Sequence, residues 1–451
     1  MVKYNCRRRA TVTQFAARLW GNMDMKRPKT FDFTLKPRKP NGLFMGILKT
    51  FVAYPDMKKR DFECEYVNMD GIEPPYFLLA NHASEMDFRI LYAAIRPHNM
   101  NYVVAIDAMH DNGIGLMRFA GGIGKRKFIQ DMALIRNMKY CVDNYKNPLC
   151  IYPEARYTFD GTQSYIPPSV GKMAKLLKVP VVLLIAEGNF ICCPQWNKDK
   201  FKKRLAPCKA KLICVADKNE VQALTAEEIN ARIKEHFVYD DFAYQYKNKI
   251  SLTFPQRARG LHHILYQCCE CGTEFEMYSS GTTLECRHCG KKWEMTEYGR
   301  LEAHDGETKF AHIPDWFKWE RENVRREVEA GTYCIEDEIE VHTLPKNKYF
   351  YQGRGKFRQD GTGTHFYCNW YGEKFEMHLA PNQLESVHIE FDYRDRKKNE
   401  FFGDCLDISR HDDSFWLHPV NIRDCIMKIS FATEELYQLE HRRLKEKRKQ
   451  E

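Results

Sequence analysis

The sequence predicts an α/β domain followed by a small cysteine-rich unit and a β-rich C-terminal domain. Three observations point there. Short apolar runs alternate with helical patterns between about 75 and 190, two Cys-x2-Cys pairs stand between 268 and 289, and glycine-punctuated aromatic segments occupy the last hundred residues. At 451 residues the chain exceeds the size at which one core stops growing, so several folded units are expected. Hydrophobic residues at 43% and charged residues at 29% exclude disorder for most of it.

The chain divides into a basic extension (1–41), an α/β domain (42–250), the cysteine unit (255–300), a helix with a β-rich domain (301–433) and a basic helical tail (434–451). Leu43, Phe44, Ile47, Leu48 and Phe51 recur at helical spacing with Lys49 and Lys58 nearby, which suits a helix lying on a core or on a membrane surface. Strands are expected at Tyr76–Ala80, Tyr102–Ile106, Leu149–Tyr152 and Val179–Ala186. Helical periodicity lies between them at Ala133–Val142 and Met173–Leu177. Thr225 and Glu228 form a capping box that opens a helix running to Phe242. Ile313 to Gly331 reads as an amphipathic helix with a glycine stop.

A net charge of +9 suits an anionic partner such as nucleic acid, a phosphorylated substrate or an acidic lipid surface. No run of 18 or more apolar residues occurs, so the protein is expected to be soluble or peripheral. Most of the 17 cysteines are single, which suits a reducing, cytoplasmic compartment. The exception is Cys268-x2-Cys271 followed by Cys286-x2-Cys289. Two knuckles of this spacing, each ending near glycine, aim four thiolates at one tetrahedral ion, the pattern of a zinc ribbon with structural zinc.

The stretch "LLANHASEMDFRI" carries the chemistry. Asn81 and His82 follow the apolar run Phe77–Ala80, and Ser84 with Asp87 has capping-box spacing at the start of the next helix. A histidine on a strand-to-helix loop can face a cleft. An aspartate in the first turn can hold one ring nitrogen and leave the other as a base for a hydroxyl proton. Downstream, "GGIGKRKF" offers Gly122 and Gly124 for close approach and Lys125, Arg126 and Lys127 as cations. "YPEARY" sets Glu154 and Arg156 on a post-strand loop, and "KVPVV" carries Pro180. A P-loop is excluded because the glycine five positions before Gly124 is missing and Arg126 stands where Ser or Thr is required.

In this order and spacing the four segments resemble the glycerolipid (lysophospholipid, or 1-acylglycerol-3-phosphate) acyltransferase family over roughly residues 42–215. The resemblance implies an acyltransferase-type domain, with a central mixed sheet flanked by helices, that moves a fatty acyl group from a thioester to a lipid hydroxyl. His82 would be the general base and Asp87 its partner. Gly122, Gly124, Lys125, Arg126, Lys127, Glu154 and Arg156 would hold the acceptor phosphate, and Pro180 would mark the acyl-binding block. Acyl-CoA or acyl carrier protein would be the donor, a phospholipid or lysophospholipid the acceptor, and the cytoplasmic face of a membrane the place of work. Two blocks depart from the family pattern: Ala155 and Tyr157 stand where the third block carries glycine and arginine, and Lys127 ends the second block in place of arginine. A competing expectation is a nucleic-acid-binding protein that uses the ribbon and the basic surfaces.

Overall fold

The computed structural model describes residues 27–129, 131–197, 199, 205–395 and 400–450, without the side chains of 448–450. The Arg7–Arg9 run lies outside these residues. Seven strands form the first sheet: β1 (Glu63–Val67), β2 (Phe77–Ala80), β3 (Asn101–Ala105), β4 (Gly122–Lys125), β5 (Leu149–Ile151), β6 (Val181–Glu187) and β7 (Lys209–Ala216), in the spatial order β1-β7-β6-β2-β5-β3-β4. The pairs from β6 through β2, β5 and β3 to β4 are parallel, β7 runs antiparallel to β6, and β1 is parallel to β7. The sheet is mixed, with helices packed on it. β2 is buried at all four residues, as an apolar run flanked by neighbours on both sides should be.

Parallel order decides what can meet. The carboxyl ends of β2, β5, β3 and β4 share one edge, so the segments that follow them, beginning at Asn81, Tyr152, Ile106 and Arg126, lie side by side. The four expected strands fall within two residues of the observed ones. The block from 121 to 127, expected as a ligand-approaching turn, is strand β4 over its first half. A Cβ on Gly122 would lie 2.9 Å from the Met117 carbonyl oxygen, and one on Gly124 would lie 2.9 Å from the Phe31 ring. Both glycines therefore serve the chain's own packing.

The expected helix from Thr225 to Phe242 is two helices, Ala226–His236 and Asp241–Lys247; the Thr225/Glu228 capping box forms at the start of the first. Residues 27–41 are integrated into the fold: Arg27 pairs with Glu373, the Phe31 amide donates to the Pro345 carbonyl, and the Asn41 amide donates to the Phe119 carbonyl.

The second sheet is antiparallel: β8 (Met277–Ser280), β9 (Thr283–Cys286), β10 (Lys292–Met295) and β11 (Leu301–Ala303), paired consecutively. The third has seven antiparallel strands: β12 (Cys334–Thr343), β13 (Phe350–Asp360), β14 (Gly363–Trp370), β15 (Glu373–Leu379), β16 (His388–Asp395), β17 (Glu400–Ser409) and β18 (Ser414–Pro419), ordered β15-β14-β13-β12-β18-β17-β16. In β12, Ile335, Ile339 and Val341 face inward while Glu336 and Glu338 face out toward Arg358 and Arg354 on β13. The helix Ile426–Gln450 packs on this sheet and against the helix Ile313–Glu329, which Gly331 (φ +68°) ends. The terminal helix starts eight residues before the expected tail because its first half is buried. One continuous core links loop residues Ala83, Phe159 and Phe190 of the first domain with the cysteine unit and the third sheet.

Candidate active site

His82 leaves the carboxyl end of β2, and its neighbours fix it from four directions. Its Nδ1 lies 2.7 Å from Asp87 Oδ2. Only one half of the Ser84/Asp87 capping box forms. The Asp87 carboxylate folds back and accepts from the Ala83 and Ser84 amides, at 2.9 and 3.0 Å, while Ser84 Oγ accepts the Met86 amide and not that of Asp87, the first residue of the helix Asp87–Ala94. Asn189 also donates to Asp87 and is itself held by the buried Arg60, whose Nη1 donates to Asn189 Oδ1 at 2.8 Å. A carboxylate so supplied with donors is held in one orientation, and it selects the imidazole tautomer whose Nδ1–H it accepts.

Tyr152 stacks on the imidazole with ring centroids 3.7 Å apart and an 11° interplanar angle, and Tyr157 lies against it at 4.0 Å. Glu154 accepts the His82 amide at 3.2 Å, the Ser164 amide at 2.6 Å and the Tyr239 hydroxyl at 2.8 Å. Burial pushes the Glu154 carboxyl up to about 7 against the pull of these donors. Glu154 therefore holds the His82 loop, and it also lines the cavity that the ring borders. The ring is 19% exposed and its Nε2 has no hydrogen-bond partner among the described residues.

That ring borders a cavity of about 2130 Å³ lined on one side by apolar groups such as Phe44, Leu48, Phe88 and Leu91. Lys125 and Lys127 also line it. Burial lowers the Lys125 pKa, and the ammonium has no ion pair among the described residues. Lys127 sits 2.8 Å from Asp107 and 3.9 Å from Asp407; burial opposes its charge, but these carboxylates outweigh it and raise its pKa.

Three expected binding residues are directed elsewhere. Arg126 is buried and donates to the Leu344 and Pro345 carbonyls and to Ser414 Oγ, at 2.7–2.9 Å, so it ties β4 to the third sheet. Arg156 touches the cavity, but its Nη1 lies 2.6 Å from Glu434 and 3.0 Å from Ser386 Oγ. Pro180 immediately precedes β6, and its carbonyl accepts the Phe77 amide that begins β2. It is buried at the opposite edge of the sheet from His82, because parallel strands put their starts on one edge and their ends on the other. Sequence reasoning missed Arg60, Tyr152 and Asn189; Tyr157 was read only as a departure from the family pattern. The post-strand position of Tyr152 and Tyr157 was the available signal, whereas nothing near Arg60 or Asn189 in sequence marks them.

The cysteine unit is compact. Cys268 and Cys289 sulfurs are 3.8 Å apart, as are those of Cys271 and Cys286, and all four lie within 4.8 Å of one another. The knuckles match in their backbones. The Gly272 amide donates to the Cys268 carbonyl at 2.9 Å and the Gly290 amide to the Cys286 carbonyl at 2.8 Å. Both glycines have φ near +75° (75° and 79°), where a side chain would be strained. This cluster could hold a metal ion.

No family model matches the chain, and no curated protein matches it. Among solved structures it is similar to the crystal structure of the 1-acyl-sn-glycerophosphate (LPA) acyltransferase PlsC from Thermotoga maritima. The identity is 17%, the match covers 43% of this chain and 86% of that one, and the TM-score is 0.30.

Proposed function

We propose that this protein is an O-acyltransferase that moves a fatty acyl group from a thioester, carried on CoA or on acyl carrier protein, to the hydroxyl of a lysophospholipid-type acceptor. The observation that carries the reading is the His82–Asp87 contact at 2.7 Å, with Nε2 unpartnered among the described residues and the ring on the wall of a large cavity. His82 Nε2 takes the acceptor's hydroxyl proton as the oxygen attacks the thioester carbonyl. The C–S bond breaks, an ester forms, and the proton passes to the departing thiolate. No covalent acyl-enzyme is required.

General-base help of this kind supplies about 10²–10⁴-fold, and proximity supplies much of the remainder. A cavity of about 2130 Å³ exceeds the roughly 300–1,000 Å³ that one small ligand needs, which favours two long substrates held together. Lys125 and Lys127 would meet the acceptor's phosphate; Arg126 and Arg156 serve the contact with the C-terminal domain instead.

The four cysteines would hold a structural zinc. A tetrahedral ion with Zn–S bonds of about 2.3 Å has S···S edges of about 3.8 Å, the separation of both cross-knuckle pairs. All four positions would be filled by sulfur, so the ion would fold the unit and take no part in transfer.

The work would be done peripherally, on the cytoplasmic face of a membrane. Among the described residues no helix is long and apolar enough to cross one. Leu43 (78%) and Phe51 (75%) are exposed with Ile47 along the segment from 42 to 53, while Phe44 and Leu48 turn inward. Each exposed side chain gains about 1.5–3 kcal/mol on leaving water. The test is incubation with lysophosphatidate and labelled acyl thioesters, with product identification. Wild type forms the diacyl product and His82→Ala loses at least about 100-fold; unchanged turnover in His82→Ala overturns the reading.

A further inference from the structure

A second cluster of ligating side chains lies away from the four cysteines, where three parts of the chain meet. His262 and His263 belong to the short turn Leu261–His263, Asp392 and Asp404 come from β16 and β17, and Asp424 precedes the terminal helix. His262, His263 and Asp424 offer ligand atoms within 4.8 Å of one another, and so do His263, Asp392 and Asp404.

The ring nitrogens divide their tasks. His263 Nε2 is 3.0 Å from Asp392 Oδ2, so in the tautomer protonated there it donates to that carboxylate. Its Nδ1 then points a lone pair at Asp424 Oδ1, 2.8 Å away, and Asp404 Oδ2, 3.4 Å away. His262 is arranged the same way: Nδ1 lies 2.7 Å from Ser279 Oγ on β8, and Nε2 turns toward Asp424 Oδ1 at 3.9 Å. One nitrogen held by an outer partner while the other faces carboxylates is how metal-ligating histidines are oriented.

A lone pair facing two carboxylates at these distances is repulsive unless a cation stands between them. A proton on Nδ1 would serve if it made directed hydrogen bonds. It does not: His263 is 5% exposed, and its Nδ1 is buried with no aligned hydrogen-bond partner despite the 2.8 Å approach.

We propose that His262 Nε2, His263 Nδ1 and Asp424 bind a divalent first-row transition ion, with the Asp404 carboxylate beside His263 adding negative charge and Asp392 and Ser279 orienting the two rings. Imidazole with carboxylate is a donor set for Zn²⁺, Mn²⁺ or Fe²⁺ and a poor one for Mg²⁺ or Ca²⁺. The ion clasps the turn before the cysteine unit to the third sheet and to the start of the terminal helix. It sits beside the cavity, since Phe391 and Asp392 line that cavity and the Phe391 ring stacks on His263 at 5.2 Å.

The test counts ions on the full-length protein. Purified protein is equilibrated in turn with excess Zn²⁺, Mn²⁺ and anaerobic Fe²⁺, desalted, and measured by elemental mass spectrometry, with electron paramagnetic resonance for Mn²⁺. Wild type is expected to hold a second equivalent beyond the thiolate-bound one, and Asp404→Asn/Asp424→Asn to lose only that second equivalent. Should circular dichroism show the double variant unfolded, His262→Ala replaces it and weakens the second ion at least about tenfold. Wild type that takes up no second equivalent of any of the three ions overturns the proposal, as does a folded variant that binds it undiminished. Cys271→Ser separates the two sites: it removes the thiolate-bound ion and spares the second.

Discussion

Four thiols between 268 and 289 converge on one point, whereas the four cations at 125–127 and 156 point in different directions. Each knuckle in the cysteine unit closes on itself through a hydrogen bond from a glycine amide to a cysteine carbonyl four residues back. Only the pairing of β8 with β9 is needed to bring the two knuckles together. The cations have no such local closure. Lys125 and Lys127 turn to the cavity, while Arg126 and Arg156 are drawn into the C-terminal domain by carbonyls, hydroxyls and Glu434. Ligand geometry written into a tight turn survives folding unchanged, and the destination of a long charged side chain depends on what packs over it.

The largest expected break of this contrast is at the thiols. Cys286→Ser should abolish the zinc binding proposed for the unit, for which free energies on the order of 10 kcal/mol are typical, and calorimetry should show a lost or strongly lowered transition. Unchanged melting would remove the metal from the account of that unit.

Next comes Arg156, where Arg156→Ala leaves Glu434 buried with one fewer partner and should cost about 3–5 kcal/mol in denaturant unfolding. The paired expectation is at Lys125, where Lys125→Ala should leave stability nearly unchanged and raise KM for a phosphate-bearing acceptor about tenfold. If instead Arg156→Ala changes only KM, the two residues have the opposite roles.

Glu154 supplies a pH test. Its folded-state pKa, raised by burial to about 7 from 4.5, makes the protonated form the one that folding favours. The contribution is complete below about 4.5 and is lost as pH rises to about 7, amounting to about 3 kcal/mol. Glu154→Gln should abolish this part of the stability–pH curve between those limits, measured by chemical denaturation. The smallest expected effect is at Ala155, which holds a left-handed φ of +57°. Ala155→Gly should stabilise the protein by about 1 kcal/mol and leave transfer intact, as thermal melting and turnover together would show.

The segments that sequence reading located well are those whose signal is local. β2, β5 and β6 are apolar runs bounded by turn residues, Thr225 and Glu228 stand at capping distance, and Ile313–Glu329 carries helical periodicity up to a glycine. β12 escaped notice because its outward face is acidic and its inward residues alternate with glutamates, so the run reads as polar. β4 escaped because glycines weaken a strand signal.

By itself, the sequence determined the alternation of strands and helices, the two cysteine knuckles and the presence of a histidine and aspartate on a post-strand loop, since all of these follow from residues within about twenty positions of one another. Tertiary structure alone decided that Tyr152 and Tyr157 enclose the imidazole, that Asn189 and Arg60 brace Asp87, that Arg126 and Arg156 belong to the C-terminal domain, and that His262 and His263 meet Asp404 and Asp424. The reason is chain separation: contacts between residues far apart in the chain are set by strand order and by which surface covers which, and neither leaves a mark on the sequence near the residues it joins.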